Sequence, residues 1–456
     1  MKRIVKYLIC GLTLAGLIAG GCALGPPHSV NGDFARNERL QPANFAPSDA
    51  QNFKPDQLWV IERDTNISSA IPASPPPGGL TAVVHGHEHP MPLKSMNVDA
   101  TMHGYISTVD IKQQFENPYT QKIEAVYEFH LPEQAGVDDF VMTIGSRKIR
   151  GIIRERKVAE AIYQQAKQLG FLALLLSTDQ TNTFHQTIAN IEPGNNIDVD
   201  IHYFQTLHFQ DGWFEFRFPT TANAKGSSDS QRVPVSFLLD VDAGATIADL
   251  QCPDYLTKKS LASEHWIIQS KPEVETPNED LKLRYRLAKG QSSSDFMSYR
   301  DQRGGYFTLL LHPPDYTSTL TNVKVDWGAM KVSEIYPSDF TNLPAGRAVL
   351  IAGRFMGTVP PAITVTGTEG NQTVSFSIPV DISKANTEKM LPKVWASMKI
   401  ATFKQETLRT GDLGFISETK QVALEYGVAS PFTPFLAVDA SEPTKGDKSM
   451  TVPAAP

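Results

Sequence analysis

Residues 148–203 read KIRGIIRERKVAEAIYQQAKQLGFLALLLSTDQTNTFHQTIANIEPGNNIDVDIHY. Val158, Ile162, Ala166 and Leu169 recur at spacings of three and four, with Arg154, Glu155, Arg156, Lys157, Gln164 and Lys167 between them. That period predicts an amphipathic helix. Gly170 is placed to stop it, since a residue without Cβ accepts the left-handed cap. The apolar run 171–176 predicts a buried strand, and 184–191 predicts another, ended by a Pro193-Gly194 turn. Ile197, Val199, Ile201 and Tyr203 then alternate with polar residues as a further strand.

The pattern continues on both sides. Residues 105–111 alternate cleanly, and 125–131 alternate again after an Asn117-Pro118 turn. Residues 213–218 (WFEFRF) predict a closing amphipathic strand. Beyond a polar loop at 222–232, strands are predicted at 233–239, 266–269, 281–287 and 306–311. Further strands are predicted at 348–355, 362–367 and 373–380, the last two joined through Gly370 and Asn371. Residues 389–404 predict a helix packed on a sheet, and Val422, Leu424 and Val428 a shorter one. The fold class is therefore mainly β with a few helices (α+β).

Particular residues carry a family resemblance. Gly151, Arg154-Glu155-Arg156, Ala159, Tyr163, Ala166, Gly170, Phe184, Asn190-Ile191, Pro193-Gly194 and Tyr203 fall in the order found in the VIT (vault protein inter-alpha-trypsin) domain. Phe115-Glu116-Asn117 and the run 126–132 (VYEFHLP) resemble its first half. Ser177 stands where the family usually has a glutamate, so any ion pair of that acid is not expected. The resemblance implies a VIT β-domain followed by a second β-sandwich-like domain and C-terminal helices. It does not supply a function.

In inter-alpha-trypsin inhibitor heavy-chain-like architectures, a Gly-Tyr-Phe strand and a pair of prolines lead into a von Willebrand A domain. Gly305-Tyr306-Phe307 with Pro313-Pro314 resembles that lead-in. Residues 320–328, Gly353-Arg354-Phe355, Trp395-Ala396 and 430–439 resemble the segments on the far side of the A domain. Such a domain needs about two hundred residues, and only residues 313–320 stand between the flanks. It is expected to be missing, with the strands on either side closing one sandwich. Asp315-Tyr316-Thr317-Ser318-Thr319 imitates the spacing of that domain's cation loop but reads as a turn, because no later segment supplies further ligands.

Composition bounds the rest. The chain has 456 residues, 41% hydrophobic and 20% charged, which is an ordinary globular balance. A net charge of −7 with scattered Lys and Arg argues against a nucleic-acid partner. Lys2, Arg3 and Lys6 precede an apolar run at 7–18 that ends in Ala19-Gly20-Gly21-Cys22. This is the pattern of a secretory signal, and the cysteine resembles the acylated residue of a bacterial lipobox, although Ala19 stands where leucine is preferred. Cys22 is the expected lipidation site. Ala23 in place of a retention aspartate points to the outer membrane of the cell envelope. Cys10 would leave with the signal, so Cys252 would remain alone and no intrachain disulfide is expected.

The expected segments are a signal at 1–22, a Pro-rich tether at 23–90 with one isolated strand at 58–63, and the VIT domain at 91–220. A second β-domain is expected at 221–385, a helical segment at 386–441 and a polar tail at 442–456. His85, His87 and His89 alternate in an extended segment and could converge on a cation, yet no carboxylate or cysteine set completes the site. Gly353-Arg354-Phe355 is a second attractive cluster. An arginine so placed more often pairs with a carboxylate at the core edge than binds a ligand. Arg154-Glu155-Arg156 reads as an exposed charged face with local ion pairs. Nucleophile-elbow, P-loop, dinucleotide and zinc-protease patterns do not occur, so neither an enzyme nor a cofactor is expected. The function expected is a lipid-anchored, non-enzymatic scaffold for other envelope proteins. Metal chemistry at the three histidines is the alternative, as is a degenerate relative that lost its A domain.

Overall fold

The computed structural model describes residues 79–84, 87–132, 135–145, 147–154, 156–168, 172–178, 183–220, 233–271, 279–288, 295–312, 319–345, 347–380 and 388–439. Among these the chain is mostly strand, with three helices: α1 (Arg156–Gln168), α2 (Leu391–Thr410) and α3 (Gly414–Tyr426). The predicted mainly β class is the one the structure has.

Two large sheets make the first core. The long strands Leu93–His103, Ile106–Glu116 and Asn196–Thr206 are neighbours in an eight-stranded sheet. Each alternates: Val109, Ile111 and Phe115 are buried while Asp110 and Lys112 are exposed. Ile123–His130, Thr183–Ile191 and Leu172–Thr178 are neighbours in a seven-stranded sheet. Tyr127 of that sheet packs its ring 6.0 Å from Phe115 and donates its hydroxyl proton to the Gln113 side chain, so these two buried polar groups satisfy each other. In α1, Ala159, Ile162, Tyr163 and Ala166 are buried at the predicted spacing, and the Tyr163 hydroxyl donates to Glu124 at 3.3 Å.

A second core lies between a four-stranded sheet and a three-stranded one. Phe307, Leu309, Leu311, Ile351 and Phe355 come from the first sheet; Val323, Ile363, Val365 and Ile378 come from the second. Strands Gly304–Leu311 and Thr321–Asp326, which flank the junction, lie in the two sheets on either side of this core. Residues 313–318 of the junction lie outside the described residues.

Three segment boundaries differ from those expected. Strands Gly79–Val84 and His87–Pro90 fall inside the expected tether, and the first of them pairs with Ile123–His130. Leu80 and Ala82 are buried there; a pairing partner far along the chain makes a strand of a segment too short to show one. The sheet of the expected VIT domain also does not end near residue 220. Val235–Asp242 runs parallel to Leu93–His103 and extends it, while Trp213–Phe218 joins Leu281–Leu287 in a separate four-stranded sheet. Finally, the C-terminal segment is not helical throughout. Phe435–Asp439 returns as a strand between Leu172–Thr178 and Ile152–Ile153. The expected strand at 58–63 lies outside the described residues.

Candidate functional site

The site is set by strand register. Gly304–Leu311 pairs with Val349–Met356 so that Gly305 opposes Phe355, Tyr306 opposes Arg354, and Phe307 opposes Gly353. A Cβ on Gly305 would stand 2.6 Å from the Phe355 ring, and one on Gly353 would stand 2.6 Å from the Phe307 ring. Each glycine thus leaves room for a phenylalanine to lie across the neighbouring strand, toward the second core. Alternation turns Tyr306 and Arg354 to the opposite face, where α2 and α3 pack.

On that face the Arg354 guanidinium lies 5.2 Å from the Tyr306 ring and 5.6 Å from the Trp395 ring. Its Nη1 is 3.4 Å from Glu334 Oε2. Lys399 Nζ reaches the other Glu334 oxygen at 2.5 Å and lies 4.8 Å from the centre of Trp395. The Trp395 indole N–H donates to the Glu334 carbonyl at 2.9 Å. Glu334 therefore serves two cations and an indole, from a backbone with φ of 47°. The hydroxyls of Tyr306 and Tyr426 hydrogen-bond at 2.7 Å, and Arg303 lies 4.4 Å from the Tyr426 ring. Burial raises the hydroxyl pKa of Tyr306 and brings Tyr336 to about 12, so both stay protonated near neutrality.

A cavity of about 460 Å³ opens here, with Arg354, Lys399 and Trp395 on one side and Glu418, Gln421 and Glu425 of α3 on the other. Its two cations, Arg354 and Lys399, already share the Glu334 carboxylate. The arrangement suits binding and the locking of α2 and α3 onto the sheet. Sequence reasoning singled out Arg354 and Trp395 separately; the structure brings them together. Lys399, Glu334 and Tyr426 were missed, because only the fold gathers them. The pairing of Arg354 with Glu334 is the carboxylate contact expected of a strand arginine.

The described motif residues of the stretch that resembles the VIT domain are buried or hold turns and contacts of the fold. Asn117, fully buried, donates its amide to the Glu192 carbonyl at 3.0 Å, and Gly194 N–H donates to the Asn117 carbonyl at 3.1 Å. Gly194 has φ of 69°, which the Pro193-Gly194 turn requires. Asn190 sits at φ of 63° beside a β-bulge, a conformation asparagine tolerates. Ala159, Tyr163 and Phe184 are buried. Arg156 is no free surface charge: it donates to the Pro431 carbonyl and ties α1 to the C-terminal turn. Burial lowers the Arg154 pKa. Glu155, Gly170, Cys22 and His85 lie outside the described residues, as does the His87 side chain. His89 is exposed, 6.1 Å from the Tyr119 ring. Among the described residues no group of three or more His, Cys, Asp or Glu side chains is disposed to hold a metal. Among them, too, no helix is long and apolar enough to cross a membrane. Cys252 is half-buried, and burial raises its thiol pKa.

Sequence comparison finds relatives of part of this chain. Human von Willebrand factor A domain-containing protein 5A is 28% identical over 142 residues, covering 30% of this chain and 18% of that protein. Mouse protein mono-ADP-ribosyltransferase PARP4 is 29% identical over 185 residues, covering 41% and 9%. Human inter-alpha-trypsin inhibitor heavy chain H2 is 27% identical over 126 residues, covering 27% and 13%. The chain thus spans less than a fifth of each relative's length. The family model for the vault protein inter-alpha-trypsin domain matches residues 93–203, the stretch from the strand Leu93–His103 to Tyr203, and this part of the chain is a VIT domain.

Proposed function

We propose that this protein is a non-enzymatic interaction scaffold of the cell envelope, held to the outer membrane by a lipid on Cys22 and built to engage other envelope proteins. The observation that carries the reading is the VIT domain itself, whose relatives include a protein named as the heavy chain of an inhibitor. The way that domain is built into the molecule supports it. Strands Val235–Asp242 and Phe435–Asp439 extend its two sheets, and Lys393 of α2 pairs with Asp138, so the VIT core and α2 form one frame that can present loops. The lipobox-like Ala19-Gly20-Gly21-Cys22 supports the anchor.

The test has two arms. Mass spectrometry of the membrane-extracted protein should find an acylated Cys22 at the mature N-terminus, and Cys22→Ser should release the protein from membranes. Crosslinking in intact cells should then join the wild-type protein to a defined envelope partner, with yield reduced in Cys22→Ser. An unmodified Cys22, or crosslinking with no reproducible partner, overturns the proposal.

A further inference from the structure

Among the described residues the edges of the sheets are managed with one exception. An unpaired edge strand offers N–H and C=O groups to any passing strand, and proteins blunt it with charge, bulges or brevity. Among the described residues, Leu256–Ser260 carries Lys258 and Lys259 on its edge, and Arg147–Arg150 is four residues long with three cations. Lys331–Tyr336 is bulged, and so is Ile247–Gln251. Gln372–Pro379 (QTVSFSIP) spans eight residues, has no charged side chain, and pairs with Ala362–Glu369 without a register shift; its one blunting residue is Pro379, at the very end.

The groups that this edge leaves unpaired among the described residues can be identified. Val380 N–H donates to the Pro361 carbonyl at 2.9 Å, in register with the Ala362↔Pro379 pairing. In an antiparallel ladder the backbone groups of successive residues point to opposite sides. Gln372, Val374, Phe376 and Ile378 therefore bond inward, and Thr373, Ser375 and Ser377 present their N–H and C=O groups outward. All three of these residues are exposed.

We propose that this edge pairs with the same edge of a second copy of the chain, antiparallel about a twofold axis at Ser375. The register is self-complementary. Ser375 meets Ser375 and Thr373 meets Ser377, so each outward N–H finds an outward carbonyl. On the core-side face, Val374 meets Phe376 of the other copy. Both are half-buried against the second core, and a β-branched–aromatic pair is a favoured cross-strand contact. The absence of charge means that twofold symmetry sets no like charges opposite one another. The three-stranded sheet thereby becomes one continuous six-stranded sheet. A strand from another protein would have no need of this self-complementarity; a second copy meets it by symmetry.

The experiment measures the mass of the full chain, in detergent, by light scattering across a concentration series. Wild type should be a dimer. Ser375→Pro removes one outward N–H and leaves the inward ladder intact, so it should be a monomer with unchanged circular dichroism. Ser375→Asp and Ser375→Lys should each be monomeric alone and should form a mixed dimer when combined, a restoration that misfolding cannot mimic. A wild-type monomer at every concentration overturns the proposal. A dimer that survives Ser375→Pro, or a failure of the mixed pair to associate, overturns it equally.

Discussion

Gly151 lies directly against Phe435: a Cβ on Gly151 would stand 2.8 Å from the Phe435 ring and 3.3 Å from the Phe140 carbonyl oxygen. The contact joins a VIT motif glycine to the strand Phe435–Asp439, whose Phe435 and Leu436 pair with Ile153 and Ile152. It explains why a glycine is needed where φ is not left-handed. Gly151→Ala should destabilise the protein by about 1–3 kcal/mol through overpacking. Hydrogen exchange should speed up selectively in Phe435–Asp439 and Leu172–Thr178. Unchanged melting and uniform exchange would mean that Phe435 has room to move.

The VIT domain is tied to the start of α2 by titratable pairs. His202 Nδ1 hydrogen-bonds Asp138, whose second oxygen accepts from Lys393 Nζ at 2.5 Å; the Asp138 side chain is 4% exposed. The hydrogen bond to Asp138 is the main cause of a raised His202 pKa, with Asp138 and Asp110 charges adding to it while burial and Lys393 oppose it. His103 is raised in the same way by Glu388, just before α2. A histidine raised on folding stabilises below its unfolded pKa, and that contribution is lost as pH climbs through the folded value. Stability should therefore fall as pH rises above the ordinary histidine value of about 6.5 and through the raised folded values. His202→Gln should flatten the slope in urea titrations at each pH. A slope equal to wild type would remove His202 from the account.

What the sequence revealed and what it hid separate along a physical line. Alternation and helical period are local, and they marked Asn196–Thr206, Gln372–Pro379 and α1 to within a few residues. The hidden features are non-local. Val235–Asp242 has the same alternation whether it begins a new domain or lies parallel to Leu93–His103, so its place could not be read. Gly79–Val84 is a strand only because Ile123–His130 offers it an edge. At the candidate site, Gly305-Tyr306-Phe307 and Gly353-Arg354-Phe355 were both visible as motifs. Their shared purpose, each glycine under the other strand's phenylalanine, exists only in the register between them.

Arg354 should resist its conservative replacement. Its planar group lies near two rings and reaches both Glu334 and the Arg303 carbonyl. Lysine keeps the charge but loses the plane and the fork. Arg354→Lys should lower stability by about 1–2 kcal/mol, close to the loss for Arg354→Met, in which only the stem remains. Thermal unfolding of the three proteins checks this. If lysine restores wild-type stability while methionine does not, charge alone holds α2 and α3 to the sheet.

Glu334 is the residue at this site whose backbone and side chain make opposite demands. Its φ of 47°, at a bulge in Lys331–Tyr336, is a conformation that costs a residue with a Cβ about 1–2 kcal/mol. The carboxylate offsets that cost by holding Arg354 and Lys399, the latter only 13% exposed. Glu334→Ala keeps the strained backbone and strands both cations. Glu334→Gly strands the same cations but removes the strain. Glycine should therefore be the more stable variant by about 1 kcal/mol, with both below wild type. Chemical denaturation followed by tryptophan fluorescence reports the order, since Trp395 donates its N–H to the Glu334 carbonyl. Alanine at or above glycine would show that position 334 relaxes out of the left-handed region once the carboxylate is gone.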